Sequence, residues 1–481
     1  MESSGGNKRI HVVAMPYPGR GHMNAMINFC KHLAAKFSVK DDIRISFVVT
    51  DEWLSFLESE SRLPPQIQLR SIPNVIPSEL VRGLDHGGFF QAVQTKMEDP
   101  FEQLLDQLQQ EDDPGVGVRA IIADTILPWA VSVGNRRTIP VVSLWPMSPS
   151  VFSVIYHIDL LAQNGHYPID FSSGRDEELI DYIPGVSPIR LADMPASLGR
   201  RSSQQSSNPI LEAVSAVRKT SCLLLTTYYE LEPRATQALM EALHVPVYSI
   251  GPSIPLPKTL GEDDDSRNII GSMGTEEYYY MKWLDAQPES SVLYVSFGSF
   301  LSAASEQMEE ILAGLQESGV RYMLVSRGEK DPIDNNEMDS SPSLVVPWCN
   351  QLMVLCHSSV GGFWTHCGWN STLEGVYAGV PMLTYPVGFD QITNRTLIVD
   401  CWRIGMKIMK EVGAERLVNR EEIALTVKKF MNINGDNEES KEMRTRASEF
   451  KKSCRQALAK GGSSTANLDD FIRNILQYHG N

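Results

Sequence analysis

Ile10-His-Val-Val-Ala14, then Met15-Pro-Tyr-Pro-Gly-Arg-Gly21, then Met23, Met26, Ile27, Cys30, Leu33 and Ala34 at helical spacing: a short apolar run, a Gly/Pro loop and an amphipathic helix follow one another. Further apolar runs at Ile45 to Val49, Ala120 to Ala123 and Val141 to Leu144 are separated by segments long enough for helices. That is the rhythm of a parallel sheet with helices on its faces, so the first domain is expected to be doubly wound α/β. The opening unit recurs in type at Val292-Leu-Tyr-Val-Ser-Phe297, which runs into Gly298-Ser299 and then Met308, Ile311, Leu312 and Leu315 at helical spacing up to Gly319. Between the two units, Gly251 to Gly274 carries Pro252, Pro255, Pro257 and the acidic run Glu262-Asp-Asp-Asp265 without apolar periodicity, and reads as an exposed linker. Near the end Leu468, Phe471, Ile472, Ile475 and Leu476 trace one helical stripe, too short to span a bilayer and expected to pack back on the body. A chain of 481 residues exceeds what one core usually organises. The division read from these signals is 1–245, a linker at 246–285, a second domain at 286–455 and a closing helix at 456–481. A cleft between two such domains is a natural ligand site.

The formal charge of −16, with no basic block at either terminus, argues against a nucleic-acid partner. It leaves room for a small anionic ligand, because local amides and one or two cations outweigh distant screened carboxylates. The seven cysteines, Cys30, Cys222, Cys349, Cys356, Cys367, Cys401 and Cys454, are odd in number and show no paired C-x-x-C spacing, so neither a disulfide framework nor a zinc ribbon is indicated. The polar start, the prolines at 16 and 18 and the lack of an 18-residue apolar run predict a cytoplasmic chain with no stable membrane insertion. A monomer is expected. The sequons at Asn370 and Asn394 then read as chance matches.

The densest signal is a 44-residue stretch: Trp348-Cys-Asn-Gln351, His357, Phe363-Trp-Thr-His366-Cys-Gly-Trp369-Asn370-Ser371, Glu374, Gly379-Val-Pro381, Pro386 and Asp390-Gln391. Its pattern predicts a strand over Gly361 to Trp364, a turn at His366 to Trp369, a helix from Ser371 to Ala378 closed by Gly379, and a strand over Val380 to Tyr385. A tight loop leading into a helix start offers free amides and the positive end of the helix dipole to a diphosphate, with the His366 ring beside them. Glu374 is a candidate for ribose hydroxyls, and Trp348 offers a flat face to a pyrimidine. Plainer roles compete: Ser371 and Glu374 form an S-x-x-E capping box, and Trp348 fits a core anchor. His86, among Gly83, Gly87 and Gly88, is expected at the surface.

This stretch resembles the signature box of the plant small-molecule UDP-glycosyltransferases. The likeness extends along most of the chain: Gly19-Arg-Gly-His22, Asp124 after an apolar strand, Tyr229-Glu-Leu-Glu232 before Pro233, and Ser296-Phe-Gly-Ser299. The resemblance implies two facing Rossmann-like doubly wound domains of the GT-B type with a cleft between them. It implies UDP-glucose and a small lipophilic acceptor as substrates, with no cofactor and no metal. For the nucleotide it implies uracil stacking by Trp348, with Cys349 and Gln351 in the same donor-site run, ribose binding by Glu374, and phosphate binding by His366, Asn370, Ser371 and Ser299. Asp390 and Gln391 would grip the sugar hydroxyls. A terminal Gln in the box goes with glucose in that family, and Trp369 stands where Arg would favour glucuronic acid. The chain departs from the family pattern at Ala25, usually Pro, and at Pro146, usually a Thr that helps to hold the sugar; the lost hydroxyl bond is worth on the order of 1 kcal/mol.

The chemistry expected is transfer with inversion. His22, at a strand-to-helix junction, would remove the acceptor proton, and Asp124 would orient the ring and stabilise the imidazolium as it forms. Departing UDP would be met by the helix-start amides and His366. The run Asp263-Asp-Asp265 reads as a solvated charge run rather than a metal site. A Rossmann-type oxidoreductase is disfavoured because Gly19-Arg-Gly21 is followed by His22, Met23 and Asn24 rather than completing G-x-G-x-x-G. A non-catalytic UDP-sugar binder would keep the box and lose His22 or Asp124. An acceptor pocket is expected from first-domain loops at Pro77 to Phe90, Pro146 to His157 and Tyr182 to Pro195.

Overall fold

A computed structural model describes residues 10–37, 43–60, 63–83, 85–111, 117–171, 173–199, 208–255, 275–298, 305–326, 341–408, 417–432 and 438–477. The front lobe is built on β1 (Ile10–Met15), β2 (Ile43–Thr50), β3 (Ile67–Ile72), β4 (Val118–Asp124) and β5 (Val141–Trp145). A two-stranded hairpin, β6 (Leu179–Ile180) and β7 (Ile189–Arg190), interrupts the series before β8 (Cys222–Leu225) and β9 (Val247–Ser249). The main sheet runs β3-β2-β1-β4-β5-β8-β9 and all its pairings are parallel. The rear lobe repeats the plan with β10 (Val292–Ser296), β11 (Arg321–Val325), β12 (Ser343–Val346), β13 (Val360–Thr365), β14 (Met382–Thr384) and β15 (Gly405–Lys407), ordered β12-β11-β10-β13-β14-β15.

Alternate side chains of each central strand leave by opposite faces, and both faces are covered, which is why these runs are apolar throughout rather than alternating. Val12 and Ala14 enter one core with Phe29, Phe47 and Trp53, while Val13 and Met15 enter another with Phe101 and Trp129. In the rear lobe Val292 and Tyr294 face one core, and Leu293 and Val295 the other.

In each sheet the strand order reverses between two neighbours, β1 and β4 in front, β10 and β13 behind. Crevices at the carboxyl ends of such strands are where open α/β sheets take ligands. Met15 pairs with Ala123, and Ser296 with Thr365, so the loops after these four strands converge on two crevices.

The stretch read as an exposed linker begins differently. Gly251 to Ile254 are buried, Asn28 Nδ2 donates to the Ser253 carbonyl at 3.3 Å, and Ile254 joins the rear core. A Cβ at Gly251 would meet the Thr226 carbonyl oxygen at 2.0 Å, so close backbone approach, not exposure, explains this Gly-Pro pair. Further on, Thr275–Asp285 is a helix whose Tyr280, Trp283 and Leu284 are rear-core residues. The acidic run at 262–265 lies outside the described residues.

Candidate active site

His22 stands in the first turn of the helix Arg20–Ala35, directly after the loop that follows β1. Asp124 is the last residue of β4, the neighbouring strand. The crevice between these strands brings the two side chains together: His22 Nδ1 lies 2.7 Å from Asp124 Oδ2, with the imidazole 22% exposed and the carboxyl fully buried. The other carboxyl oxygen accepts the Ile126 N–H at 3.0 Å, so the acid is held from both sides. With Nδ1 donating to the carboxylate, Nε2 is left as the basic nitrogen. The Tyr17 ring packs at 5.0 Å from the imidazole and at 6.0 Å from Phe90.

The rear half grows from β13. Its carboxyl end leads through His366-Cys-Gly into the helix Trp369–Ala378, which starts two residues earlier than the sequence pattern predicts. The capping-box reading fails with it. The N-cap is Gly368, no side chain caps the helix, and Ser371 already lies inside the first turn. The leading N–H groups of a helix have no partner within it, so an uncapped start aims those of Trp369, Asn370 and Ser371 outward as an anion site. Gly379 closes the helix in the left-handed conformation, at φ 72.

His366 sits between two glycines. A Cβ at Gly298 would approach its Nε2 to 2.7 Å and one at Gly368 to 2.4 Å, so only glycine leaves room for the ring. Burial pushes the imidazole down to about 4, eased by the bond that the ring donates toward the Ser296 backbone carbonyl. Near pH 7 the ring is therefore neutral, and what it can give a phosphate is an N–H dipole rather than a charge.

Glu374 does not cap anything. Gln351 Nε2 donates to Glu374 Oε2 at 2.5 Å and to Ser371 Oγ at 2.9 Å, and Tyr294 donates to Gln351 Oε1 at 3.2 Å. Burial raises the Glu374 carboxyl to about 7, with the Gln351 bond opposing. Trp348 is 61% exposed, which excludes the core-anchor role and leaves an open ring face. The Cys349 side chain turns inward, 3.3 Å from the Tyr294 hydroxyl, its thiol pushed up to about 12 by burial. Trp369 is also a core residue, packed against Trp402 at 6.3 Å. The side chains of both are spent in the rear core. Ser299 lies outside the described residues.

Gln391 opens the helix Gln391–Thr396, and its side-chain carbonyl accepts the N–H groups of Val387 at 2.8 Å and Gly388 at 3.1 Å, leaving its amide hydrogens to donate. Asp390 Oδ2 accepts from Asn394, which also donates to the Cys367 carbonyl at 2.9 Å. Burial raises the Asp390 carboxyl, while the Asn394 bond and the charge of His22 across the cleft lower it. The two lobes meet here: Asn370 Nδ2 donates to the Gly21 carbonyl at 2.7 Å, one residue from His22.

Three assignments change. His86, expected at the surface, is half-buried with its ring 4.7 Å from that of Phe389 in the other lobe. Within the expected acceptor loop 146–157, Pro149–Tyr156 is a helix whose Val151, Phe152, Val154 and Ile155 are core. Asn394, which the sequence marks only as a sequon, is fully buried and orients Asp390; its i, i+4 spacing from Asp390 on a helix was the available signal. Among the described residues no group of three or more His, Cys, Asp or Glu is placed to hold a metal ion, and no helix is long and apolar enough to cross a membrane.

Two Rossmann-like sheets with an interlobe cleft, an acid-paired imidazole on one side and an uncapped helix start on the other, define a two-domain glycosyltransferase of the GT-B type. A family model described as UDP-glucoronosyl and UDP-glucosyl transferase matches residues 276–433. UDP-glycosyltransferase 87A2 of Arabidopsis thaliana is 47% identical over 98% of this chain and 97% of its own length, and UDP-glycosyltransferase 87A1 of the same plant is 47% identical over 96% and 100%. Medicago truncatula UGT71G1, solved with UDP-glucose, superposes with a TM-score of 0.76 at 25% identity, covering 98% of this chain and 99% of the other. Phytolacca americana UGT2, solved with UDP-2fluoro-glucose and pterostilbene, gives 0.77 at 26% identity over 97% and 99%. The chain belongs to the plant small-molecule UDP-glycosyltransferase family and is an enzyme of hexosyl transfer.

Proposed function

We propose that the protein transfers glucose from UDP-glucose, with inversion, to a hydroxyl or carboxyl of a small lipophilic acceptor, giving a β-glucoside. The observation that carries this reading is the 2.7 Å His22–Asp124 pair opening onto the rear-lobe helix start. On this reading residues 1–245 together with β9 (Val247–Ser249) form the acceptor lobe, 286–455 together with the helix Thr275–Asp285 the donor lobe, and 456–481 the closing helix, with the connection between β9 and that helix. Trp348 stacks on uracil, with Cys349 and Gln351 beside it. Glu374 takes the ribose hydroxyls. The amides at Trp369, Asn370 and Ser371, the His366 N–H and Ser299 hold the diphosphate. Asp390 and the Gln391 amide hydrogens hold the sugar.

His22 Nε2 then takes the acceptor proton as the oxygen attacks the anomeric carbon from the face opposite UDP, and Asp124 stabilises the imidazolium. The bond to UDP breaks as the new C–O bond forms, and the charge growing on the phosphate oxygen meets preorganised N–H dipoles. The ligands held by the Phytolacca and Medicago proteins, UDP-2fluoro-glucose with pterostilbene and UDP-glucose, support donor and acceptor class alike.

The test is purified protein with UDP-glucose and a panel of lipophilic phenols, alcohols and acids, reading UDP release and product mass. His22→Ala and Asp124→Asn are expected to lower kcat toward a phenol by about 10²–10⁴-fold while leaving UDP affinity nearly intact, with a smaller loss for a carboxyl acceptor that is already ionised. Undiminished turnover in His22→Ala removes it as the base.

A further inference from the structure

The segment that carries Asp390 and Gln391, Val387 to Thr396, belongs to the rear lobe, where Asn394 ties it to the Cys367 carbonyl, and the front lobe grips it as well. Its helix, Gln391–Thr396, runs on without a break into the π-helical turn Leu397–Cys401. Arg395, one turn beyond Gln391, is 1% exposed and ion-paired through Nη2 with Asp193 Oδ1 of the front lobe, whose side chain is 2% exposed. Asp193 Oδ2 takes Arg190 Nε at 2.8 Å, and the Asp193 carbonyl accepts the Thr393 hydroxyl at 2.8 Å. One acid thus sits between a guanidinium of its own lobe and one of the other. On the near side of Asp390 the front lobe grips again. The Ala196 N–H donates to the Phe389 carbonyl at 3.2 Å, and the His86 ring packs on Phe389, whose backbone is left-handed at φ 58.

We propose that Asp193 is a positioning residue for the donor sugar. Acting through Arg395 and Thr393, it sets the angle of the helix that presents Asp390 and Gln391, so the sugar grip, tied to the rear lobe through Asn394, is completed by the front one. This rests on the assignment of Asp390 and Gln391 to the sugar. Among the nucleotide residues, Gln351, Ser371 and Glu374 bond to one another inside the rear lobe, while the Asn370 side chain reaches the Gly21 carbonyl of the front one. A buried ion pair is a demanding way to dock two surfaces, since each charge loses water and regains it only in one geometry. That makes the pair a selector of one lobe arrangement and gives closure a direct line to the reacting sugar.

The inference predicts a split between two affinities. In Asp193→Asn the UDP dissociation constant, measured calorimetrically, stays within about twofold of the parent, while KM for UDP-glucose with a phenol the parent glucosylates rises about tenfold or more. Equal factors in both quantities, or an unchanged KM, overturn the inference. Where Asp193→Asn does not fold, Thr393→Val removes one seam hydrogen bond and leaves the charges in place; KM for UDP-glucose is expected to rise at constant UDP affinity, and no rise overturns the inference. A parent that releases no UDP from UDP-glucose fails the proposed function and this inference together, whereas an active parent with an indifferent variant fails only the inference.

Discussion

Two buried carboxyls, Glu232 and Glu374, are raised by burial to about 7, against 4.5 in an open chain. Between about pH 4.5 and 7 the folded protein keeps protons that the unfolded chain has released, so their contribution to stability falls as pH rises through that window and levels off above it. Glu232 accepts from the hydroxyls of Ser148 and Ser150, at 2.8 and 2.6 Å, at the start of a helix and has no ligand to meet. Glu374 differs on the proposed assignment, because ribose hydroxyls would donate to its carboxylate and favour the charged form. UDP-glucose affinity is therefore expected to tighten about tenfold between pH 6 and 8, and Glu374→Gln to flatten that dependence at a lower affinity. UDP-glucose suits this titration, since both of its phosphates are esterified and neither changes charge there. A profile that stays flat in the parent would remove Glu374 from the ribose. The sequence marked Glu374 through its place in the box, and a capping box was an equally good local account. What decides between them is Gln351, 23 positions earlier, which no helical spacing connects to it.

Strands were the most legible elements, because a parallel sheet buried on both faces demands continuous apolar runs, and the runs opening at Ile10 and Val292 are both central strands. Helix starts were less so. Trp369-Asn-Ser-Thr contains good capping residues, and propensity places the N-cap at Ser371; the structure places it at Gly368, where only a glycine fits beneath His366. On the proposed donor site the missing cap is the functional feature, since a capping hydroxyl would occupy the amides that a phosphate would need. Gly368→Ala is accordingly expected to displace the His366 ring and weaken UDP binding about tenfold or more, at an overpacking cost of about 1–3 kcal/mol in stability, although the extended φ of −60 itself suits alanine. Calorimetric titration with UDP beside a thermal melt checks this; intact affinity would mean that His366 tolerates the crowding and contributes little. Residues such as Asp193 and Arg395, 202 positions apart, carried no signal of each other at all. Their pairing exists only once both lobes are folded and facing.

At the scale of the whole molecule, the chain passes between lobes twice, once after β9 and once after the long helix Glu438–Leu458, and the two crossings lie side by side. Asn467 Nδ2 of the last helix donates to the Ser249 carbonyl of β9 at 3.0 Å, and Asn474 to the Tyr248 hydroxyl at 3.3 Å. The closing helix Ser463–Phe471 and the π-helical turn Ile472–Leu476 that follows it thus complete the front lobe with residues that come after the rear one, burying Leu468, Phe471, Ile472 and Leu476 among Val12, Phe29 and Ile45. Paired crossings on one side restrain translation and leave rotation about that side, which is the motion a cleft enzyme uses to close on its donor. The front lobe is not finished until the chain returns to it. Phe471, fully buried and edge-on to Phe29 at 6.2 Å, is the residue whose loss should show this. Phe471→Ala is expected to cost about 3–5 kcal/mol, and the loss should fall on one lobe. In hydrogen exchange read by mass spectrometry, peptides from β1, β2 and the helix Arg20–Ala35 should lose protection, while those from β10 and β13 keep it. Equal loss across both lobes would mean that they unfold as one unit, and the closing helix would then be a strap on the whole body rather than the last element of the front core.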